Sequence, residues 1–247
     1  MRTREAVNKR VGTVPQSIVP SRTDLDQPVD RRPLLRGAGI TGISGSLLML
    51  AAFVVVGTLG LPNPSSAESL QRFPDIQQAR VVENLLYLAA VVFWAVQHDL
   101  LHRLLSSTGP VLTSAARTVG HLAVAALAAS ALLHLSTAPM SQAYQQAGEA
   151  DRDGVVQAWT AAQAVMDALL ITGALLLPVT VVLFGVASRR LLGPVLGWSA
   201  VALGAAGVVG ATLAAANGPS VLVAVSVLGA LVFHLAVGVR CIRLSRG

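Results

Sequence analysis

The chain has 247 residues, of which 53% are hydrophobic and only 12% are charged. Soluble domains carry roughly 25% charged residues, about twice this share, and a soluble protein of this length has too little interior to hide so much apolar surface. The composition therefore excludes an ordinary soluble domain and favours a protein whose solvent is a lipid bilayer. The single cysteine, Cys241, excludes an intramolecular disulfide and a metal cluster built on several cysteines.

The formal net charge of +6 raises the question of nucleic-acid binding. The basic residues are scattered at the ends of apolar runs, and aromatic residues are not interleaved with them as they are in a base-stacking surface. We therefore predict no nucleic-acid partner. The basic set is 17 Arg to one Lys, which together with frequent Ala, Val and Gly is typical of a GC-rich, bacterial genome.

The first 36 residues differ from the rest of the chain. Residues 1–36 are rich in Arg, Pro, Ser and Asp and show no sustained apolar period. A segment of this composition cannot bury enough surface to fold alone, so we predict a disordered tail. It does not fit a signal peptide, because the apolar run that follows is too long and lacks a cleavage site made of small residues.

Six apolar segments follow the tail, and each is close to the ~20 residues that a spanning helix needs. Their approximate bounds are 37–61, 82–101, 118–136, 168–187, 193–216 and 221–239. Because backbone amides in lipid must be satisfied within their own segment, each segment is predicted to be a helix. The predicted fold is all-α: an integral membrane bundle of six transmembrane helices over 37–247.

The basic residues predict the orientation of this bundle. An even number of spans places both termini on one side, and that side holds fifteen of the eighteen Lys and Arg residues. The other side holds only Arg72, Arg80 and Arg152. By the positive-inside rule we expect both termini in the cytoplasm and the protein in the plasma (cell) membrane.

Three acids lie within or beside the apolar segments. Counted from the nearest cytoplasmic arginine at 1.5 Å per residue, Glu83 and Asp167 are about 30 Å away, at the outer rim of the hydrocarbon core. We interpret both as solvated interfacial acids, with a paired cation site in an outer vestibule as the alternative. Asp99 precedes Arg103 by four residues, the spacing of an ion pair on one helix face, and we predict that pair.

The sequence HDLLH at residues 98–102 places two histidines on one helix face, as in the HExxH helix of zinc proteases. Three features argue against a metalloprotease. The acid is Asp99, one methylene shorter than glutamate; no nearby motif supplies a third ligand; and His102 stands next to Arg103 at the water interface.

A different hypothesis for the histidines is based on depth. His98, His121 and His234 are each four to six residues from a cytoplasmic arginine, so all three are expected about 6–9 Å below the cytoplasmic surface. His134 is about 20 Å farther outward and is excluded. Three imidazoles at one level offer a site for a transition metal, and two offer axial ligands for a haem. The alternative is that these residues hydrogen-bond between helices as part of the packing.

Small residues recur along the first and fifth segments and predict close helix contacts, within the bundle or in a homo-oligomer. They are Ala38, Gly42 and Ser46 in the first segment and Gly204, Gly207 and Gly210 in the fifth.

Two stretches resemble a known family: RGAGITGI at the start of the first segment, and FGVASRRLLGPVLGWSAVALGAAG across the fourth and fifth. They are similar to the domain-of-unknown-function 4386 family of bacterial six-helix membrane proteins, in which a short basic loop, a proline and a Trp-bearing fifth helix recur. The matching residues here are Arg189, Arg190, Pro194 and Trp198. The resemblance covers about residues 36–243 and implies a fold and a membrane location, but the family has no established activity to carry over.

The predicted function is non-enzymatic: a membrane scaffold, a regulatory subunit or a binder of a small ligand. Its expected partners are the lipid bilayer and either a homo-oligomer or another membrane protein, and no cofactor is assigned. One alternative is a haem- or metal-binding redox protein that uses His98, His121 and His234. Another is a small-solute transporter whose path is lined by Gln97, Thr172 or Ser199.

Overall fold

The structure, a computed structural model, describes residues 31–60, 67–217 and 221–247. These residues contain no strand and form seven helices: α1 (Arg32–Leu59), α2 (Ala67–Leu105), α3 (Pro110–His134), α4 (Thr137–Gln146), α5 (Arg152–Ser188), α6 (Pro194–Asn217) and α7 (Val221–Arg246). Within this part of the chain, six helical segments are long and apolar enough to cross a membrane. The predicted all-α bundle of six transmembrane helices is confirmed.

The start of the bundle differs from the predicted boundary. Helix α1 begins at Arg32, inside the segment that we assigned to the tail, and residues 1–30 of that segment lie outside the described residues. Pro33 occupies the first turn of α1, where its missing N–H is not needed by the helix. At the other end, Gly60 adopts a left-handed conformation with φ of 56° and donates its N–H to the carbonyl of Val56.

Helices α2 and α5 are longer than their apolar segments, and the short helix α4 replaces part of a predicted loop. The extension of α2 and helix α4 are held together by hydrogen bonds to backbone carbonyls. Ser141 donates to the carbonyl of Leu70 at 2.9 Å, and Gln145 donates to that of Gln71 at 3.3 Å. These contacts between polar segments build a helical layer at the end of the bundle that we predict to be outside.

The helices pack so that α2, α5 and α7 all border the centre of the bundle. Helix α2 lies between α1 and α3, α5 lies between α3 and α6, and α7 contacts α1, α5 and α6. The largest buried side chains of the core include Trp94, Leu101 and Phe184. Leu47 and Val209 are among the large apolar side chains exposed on the outside, as expected for a bundle surrounded by lipid.

The small residues of the fifth segment serve contacts within the chain. A Cβ added at Gly204 would lie 2.7 Å from the carbonyl oxygen of Pro178, and one added at Gly207 would lie 2.8 Å from the Pro178 Cβ. Helix α6 therefore reaches the proline-bearing turn of α5 only because these positions lack side chains.

Candidate functional site: a buried histidine pair

Two of the three histidines predicted to lie at one depth are neighbours in the centre of the bundle. His98 on α2 and His234 on α7 have ring centroids 5.1 Å apart with an interplanar angle of 41°. Both side chains are fully buried. We call these two residues the histidine pair.

An aromatic ring stacks on each member of the pair. Trp94 stacks on His234 at 4.5 Å with an angle of 15°, and Phe184 stacks on His98 at 5.5 Å with an angle of 29°. Trp94 and His98 are one turn apart on α2 and therefore share a helix face. The result is a cluster of four neighbouring rings in the order Trp94, His234, His98, Phe184, in which the contact between the two histidines is tilted and the other two contacts are stacked. The cluster joins α2, α7 and α5.

Gln97 determines which nitrogen of His234 carries the proton. The Gln97 amide nitrogen donates to the carbonyl oxygens of Ala38, at 3.1 Å, and of His234, at 3.3 Å. Because those oxygens only accept, the other end of the Gln97 amide, Oε1, faces His234 Nδ1 at 2.5 Å. A carbonyl oxygen accepts as well, so Nδ1 is the protonated nitrogen, and Nε2 of the neutral ring keeps a lone pair.

Several polar nitrogens of this site lack a hydrogen-bond partner among the described residues. They are both ring nitrogens of His98, Nε2 of His234 and Nε1 of Trp94, and all are buried. A buried polar group left unsatisfied costs about 1–3 kcal/mol. The pair therefore offers unused donor and acceptor capacity inside a lipid-surrounded core.

A glycine on α3 makes room for His98. A Cβ added at Gly120 would lie 2.5 Å from His98 Nδ1 and 3.0 Å from the Thr180 methyl carbon. Any larger residue at this position would push the His98 ring out of its place beside His234. Gly120 is thus a structural requirement of the pair, and no sequence pattern indicated this role.

The third histidine of the predicted set does not join the pair. His121 is 41% exposed, its Nδ1 lies 2.7 Å from the carbonyl oxygen of Arg117, and its Nε2 lies 3.7 Å from Asp99. His102, the second histidine of HDLLH, points to Thr113 Oγ1 at 3.2 Å. No group of three or more His, Cys, Asp or Glu side chains in the described part of the chain is arranged to hold a metal ion. The metal site over His98, His121 and His234 stays a prediction.

The predicted ion pair between Asp99 and Arg103 is wrong. Asp99 Oδ1 lies 2.6 Å from Arg117 Nε, so the pair joins α2 to α3 instead of linking two positions on α2. The neighbouring helix brings a guanidinium closer than the next turn of the same helix does. Both side chains are more than a third exposed, and a pair of this kind contributes about 0.2–1 kcal/mol.

The interpretation of Glu83 as a solvated interfacial acid is also wrong. Glu83 is 6% exposed, and its Oε2 accepts a hydrogen bond of 2.8 Å from Nη1 of the buried Arg80. Counting residues along a helix does not show what packs around a side chain, and Glu83 is enclosed by the protein together with its partner Arg80. Asp167, by contrast, is partly exposed on α5.

The residues predicted for a solute path are not on one surface. Gln97 is buried beside the histidine pair, whereas Thr172 and Ser199 lie on the exposed outside of the bundle. The Thr172 hydroxyl is bound to the carbonyl of Ala168 within its own helix. These three side chains do not line a common channel.

Comparisons of the chain with protein-family models, with curated proteins and with solved structures gave no match. The resemblance to the domain-of-unknown-function 4386 family therefore stays a prediction.

Proposed function

We propose that this chain is a multi-pass protein of the bacterial plasma membrane with both termini in the cytoplasm. The six spanning-length helical segments support the multi-pass arrangement, and the placement of fifteen of eighteen basic residues on one side supports the orientation. The family resemblance supports the same location and contributes no activity.

Thiol labelling tests the orientation, because the native Cys241 is buried and should not react in the folded protein. Single cysteines placed by Ser107→Cys, between α2 and α3, and by Gly148→Cys, between α4 and α5, provide exposed reporters. We expect a membrane-impermeant maleimide to label Gly148→Cys on intact cells and Ser107→Cys only after permeabilisation. Labelling of Ser107→Cys on intact cells would show that the bundle has the opposite orientation.

Within this topology, the chain acts without catalysis as a binder of a small ligand, and the histidine pair is the binding centre. The observation that carries this proposal is the unused hydrogen-bonding capacity of His98 and His234. If His98 served packing alone, an apolar side chain of similar volume would fill its place without leaving buried nitrogens unsatisfied. A residue that costs stability in the free protein is characteristic of a functional site.

The ligand-free protein provides a direct test. We expect His98→Leu to raise the free energy of unfolding by about 1–3 kcal/mol. The substitution removes two unsatisfied nitrogens and fills the space between Gly120 and Phe184 with an apolar side chain of comparable size. The measurement is unfolding of the purified protein by sodium dodecyl sulfate in mixed micelles, followed by circular dichroism. His121→Leu, at a partly exposed position, is the matched control and should change stability by less than about 0.5 kcal/mol. A clear loss of stability in His98→Leu would show that the ring is retained for packing and would reject the binding centre.

A further inference from the structure

We propose that the turn between α5 and α6 binds the headgroup of one anionic phospholipid, with the phosphate held by Arg189 and Arg190. This inference goes beyond the proposed function and does not depend on the histidine pair. We call Arg189, Arg190 and Trp198 the headgroup site.

The part of the chain that carries this site has charged side chains of one sign only. After Asp167 the sequence contains five arginines and neither Asp nor Glu. The five are Arg189 and Arg190 after α5 and Arg240, Arg243 and Arg246 in α7. None of them forms an ion pair with another described residue. An anion that approaches this turn therefore meets no competing side-chain carboxylate on the turn itself, on α6 or on α7.

Arg189 is held in a fixed orientation. Its Nε donates to the carbonyl oxygen of Val186 at 3.0 Å, and its guanidinium carbon lies 4.7 Å from the centre of the Trp198 ring. Gly197 makes this arrangement possible, because a Cβ there would overlap the Cγ of Arg189. Within the described part of the chain, the bond from Nε is the one hydrogen bond of this side chain. Its terminal nitrogens are therefore available to phosphate oxygens, which arginine binds with two parallel N–H groups.

The neighbouring arginines fix the turn and add a second charge to it. Arg240 on α7 donates its Nε to the carbonyl oxygen of Leu192 at 3.1 Å, which ties the turn to α7. Arg190 follows Arg189 directly, is exposed, and forms no ion pair with a described residue. Two adjacent arginines on a fixed turn therefore concentrate positive charge at the end of the spanning helices, where the phosphates of a bilayer lie.

The surface beside the arginines indicates that the anion is a lipid. Val195 and Trp198, near the start of α6, are 81% and 57% exposed. Trp198 lies about 6 Å along the helix axis from Pro194, the first residue of α6. Tryptophan is enriched at this level of membrane proteins, between the headgroups and the hydrocarbon. A ligand with a phosphate at one end and acyl chains at the other contacts both parts of this surface, whereas a soluble phosphate contacts only the arginines.

The charge of the site selects among lipids. A zwitterionic headgroup would place its ammonium group next to two guanidiniums, and the turn offers no carboxylate to accept it. A headgroup with a net negative charge avoids this repulsion. The headgroup site therefore favours an anionic phospholipid.

Quenching of tryptophan fluorescence by brominated lipid tests the site, because Trp198 is the exposed one of the three tryptophans. Trp94 is fully buried and Trp159 is 2% exposed, so neither contacts lipid. The full chain is reconstituted in phosphatidylcholine vesicles in which one tenth of the lipid is phosphatidylglycerol, brominated near the glycerol end of its acyl chains. The reference vesicles contain the same fraction of phosphatidylcholine brominated in the same way. We expect the native chain to bind the anionic lipid beside Trp198 roughly 10–30-fold more tightly than phosphatidylcholine.

Substitutions locate the binding. Arg189→Gln and Arg190→Gln should each reduce this preference by about 5-fold, the contribution of one basic side chain at a membrane surface. Arg189→Lys keeps the charge but lacks the planar guanidinium that stacks on Trp198, so we expect a smaller reduction. Arg103→Gln is the matched control, since it removes the same charge from an exposed arginine of α2, and it should retain the native preference.

Three outcomes would overturn the inference. A native chain without any preference would show that the arginines bind no lipid. A preference that persists in Arg189→Gln and Arg190→Gln, or that falls equally in Arg103→Gln, would show that the lipid responds to net charge and not to this turn. Loss of the preference in excess inorganic phosphate, compared with chloride at equal ionic strength, would identify a soluble phosphate as the ligand. Circular dichroism should give the native helix content for each variant, which separates lost binding from unfolding.

Discussion

The substitution Gly42→Ala is expected to lower the free energy of unfolding by about 3–5 kcal/mol, although it adds only one methyl group to α1. The added Cβ would lie 2.6 Å from Gln97 Cδ and 2.6 Å from the carbonyl oxygen of His234. The first of these atoms belongs to a side chain that can rotate, but the second belongs to the backbone of α7. Relief of the overlap therefore requires α1 and α7 to separate.

The same movement disturbs the candidate site. Displacing Gln97 lengthens its hydrogen bonds to the carbonyls of Ala38 and His234, which join α2 to α1 and α7. It also removes the acceptor that holds the proton on His234 Nδ1. We therefore expect Gly42→Ala to disturb the histidine pair as well as to lower stability.

The matched control for this substitution is Gly57→Ala on the same helix. Gly57 is exposed, and a Cβ there would meet nothing within 4 Å. Replacing a glycine by alanine at such a helical position should stabilise the protein by roughly 0.5–1 kcal/mol. Thermal unfolding in detergent, followed by the reaction of Cys241 with a maleimide, compares the two variants. Equal stability of Gly42→Ala and Gly57→Ala would contradict the close contact of α1 with Gln97 and α7.

The transmembrane segments were predictable because lipid imposes a simple rule on sequence. A helix that crosses the bilayer must be about 20 residues long and nearly free of charge, and each apolar segment satisfies that rule without help from its neighbours. Helix α4 and the extension of α2 follow no such rule. Their stability comes from contacts between polar segments, such as Ser141 with Leu70, which a single sequence does not display.

The candidate site was predictable in part, for a related reason. Depth along a helix follows from counting residues, and this count predicted the same depth for His98 and His234. The direction in which each side chain points depends on how its helix is rotated in the bundle, and this separates His121 from the other two. The spacing of Trp94 and His98 was a usable signal for one helix face. Phe184, on a distant segment, gave no signal.

The second large effect concerns the buried ion pair in the N-terminal half of α2. Glu83→Gln is expected to lower the free energy of unfolding by about 3–5 kcal/mol, because it removes the negative charge next to a buried guanidinium. The side chains of Arg80 and Glu83 are only 6% and 8% exposed, and their charged atoms are 2.8 Å apart. Neutralising the glutamate keeps its shape, so the loss measures the electrostatic contribution of the carboxylate and not a cavity.

Helix α2 supplies its own control for this prediction. Glu68 and Arg72 form a pair of the same residue types at the same distance of 2.8 Å, but their side chains are 57% and 48% exposed. Glu68→Gln should change stability by less than about 0.5 kcal/mol, since water screens the pair and solvates each charge when the other is removed. Denaturation in mixed micelles measures both variants under one set of conditions. If Glu83→Gln cost no more than Glu68→Gln, water would have to reach Glu83, and its level in the bundle would belong to a hydrated vestibule instead of the protein interior.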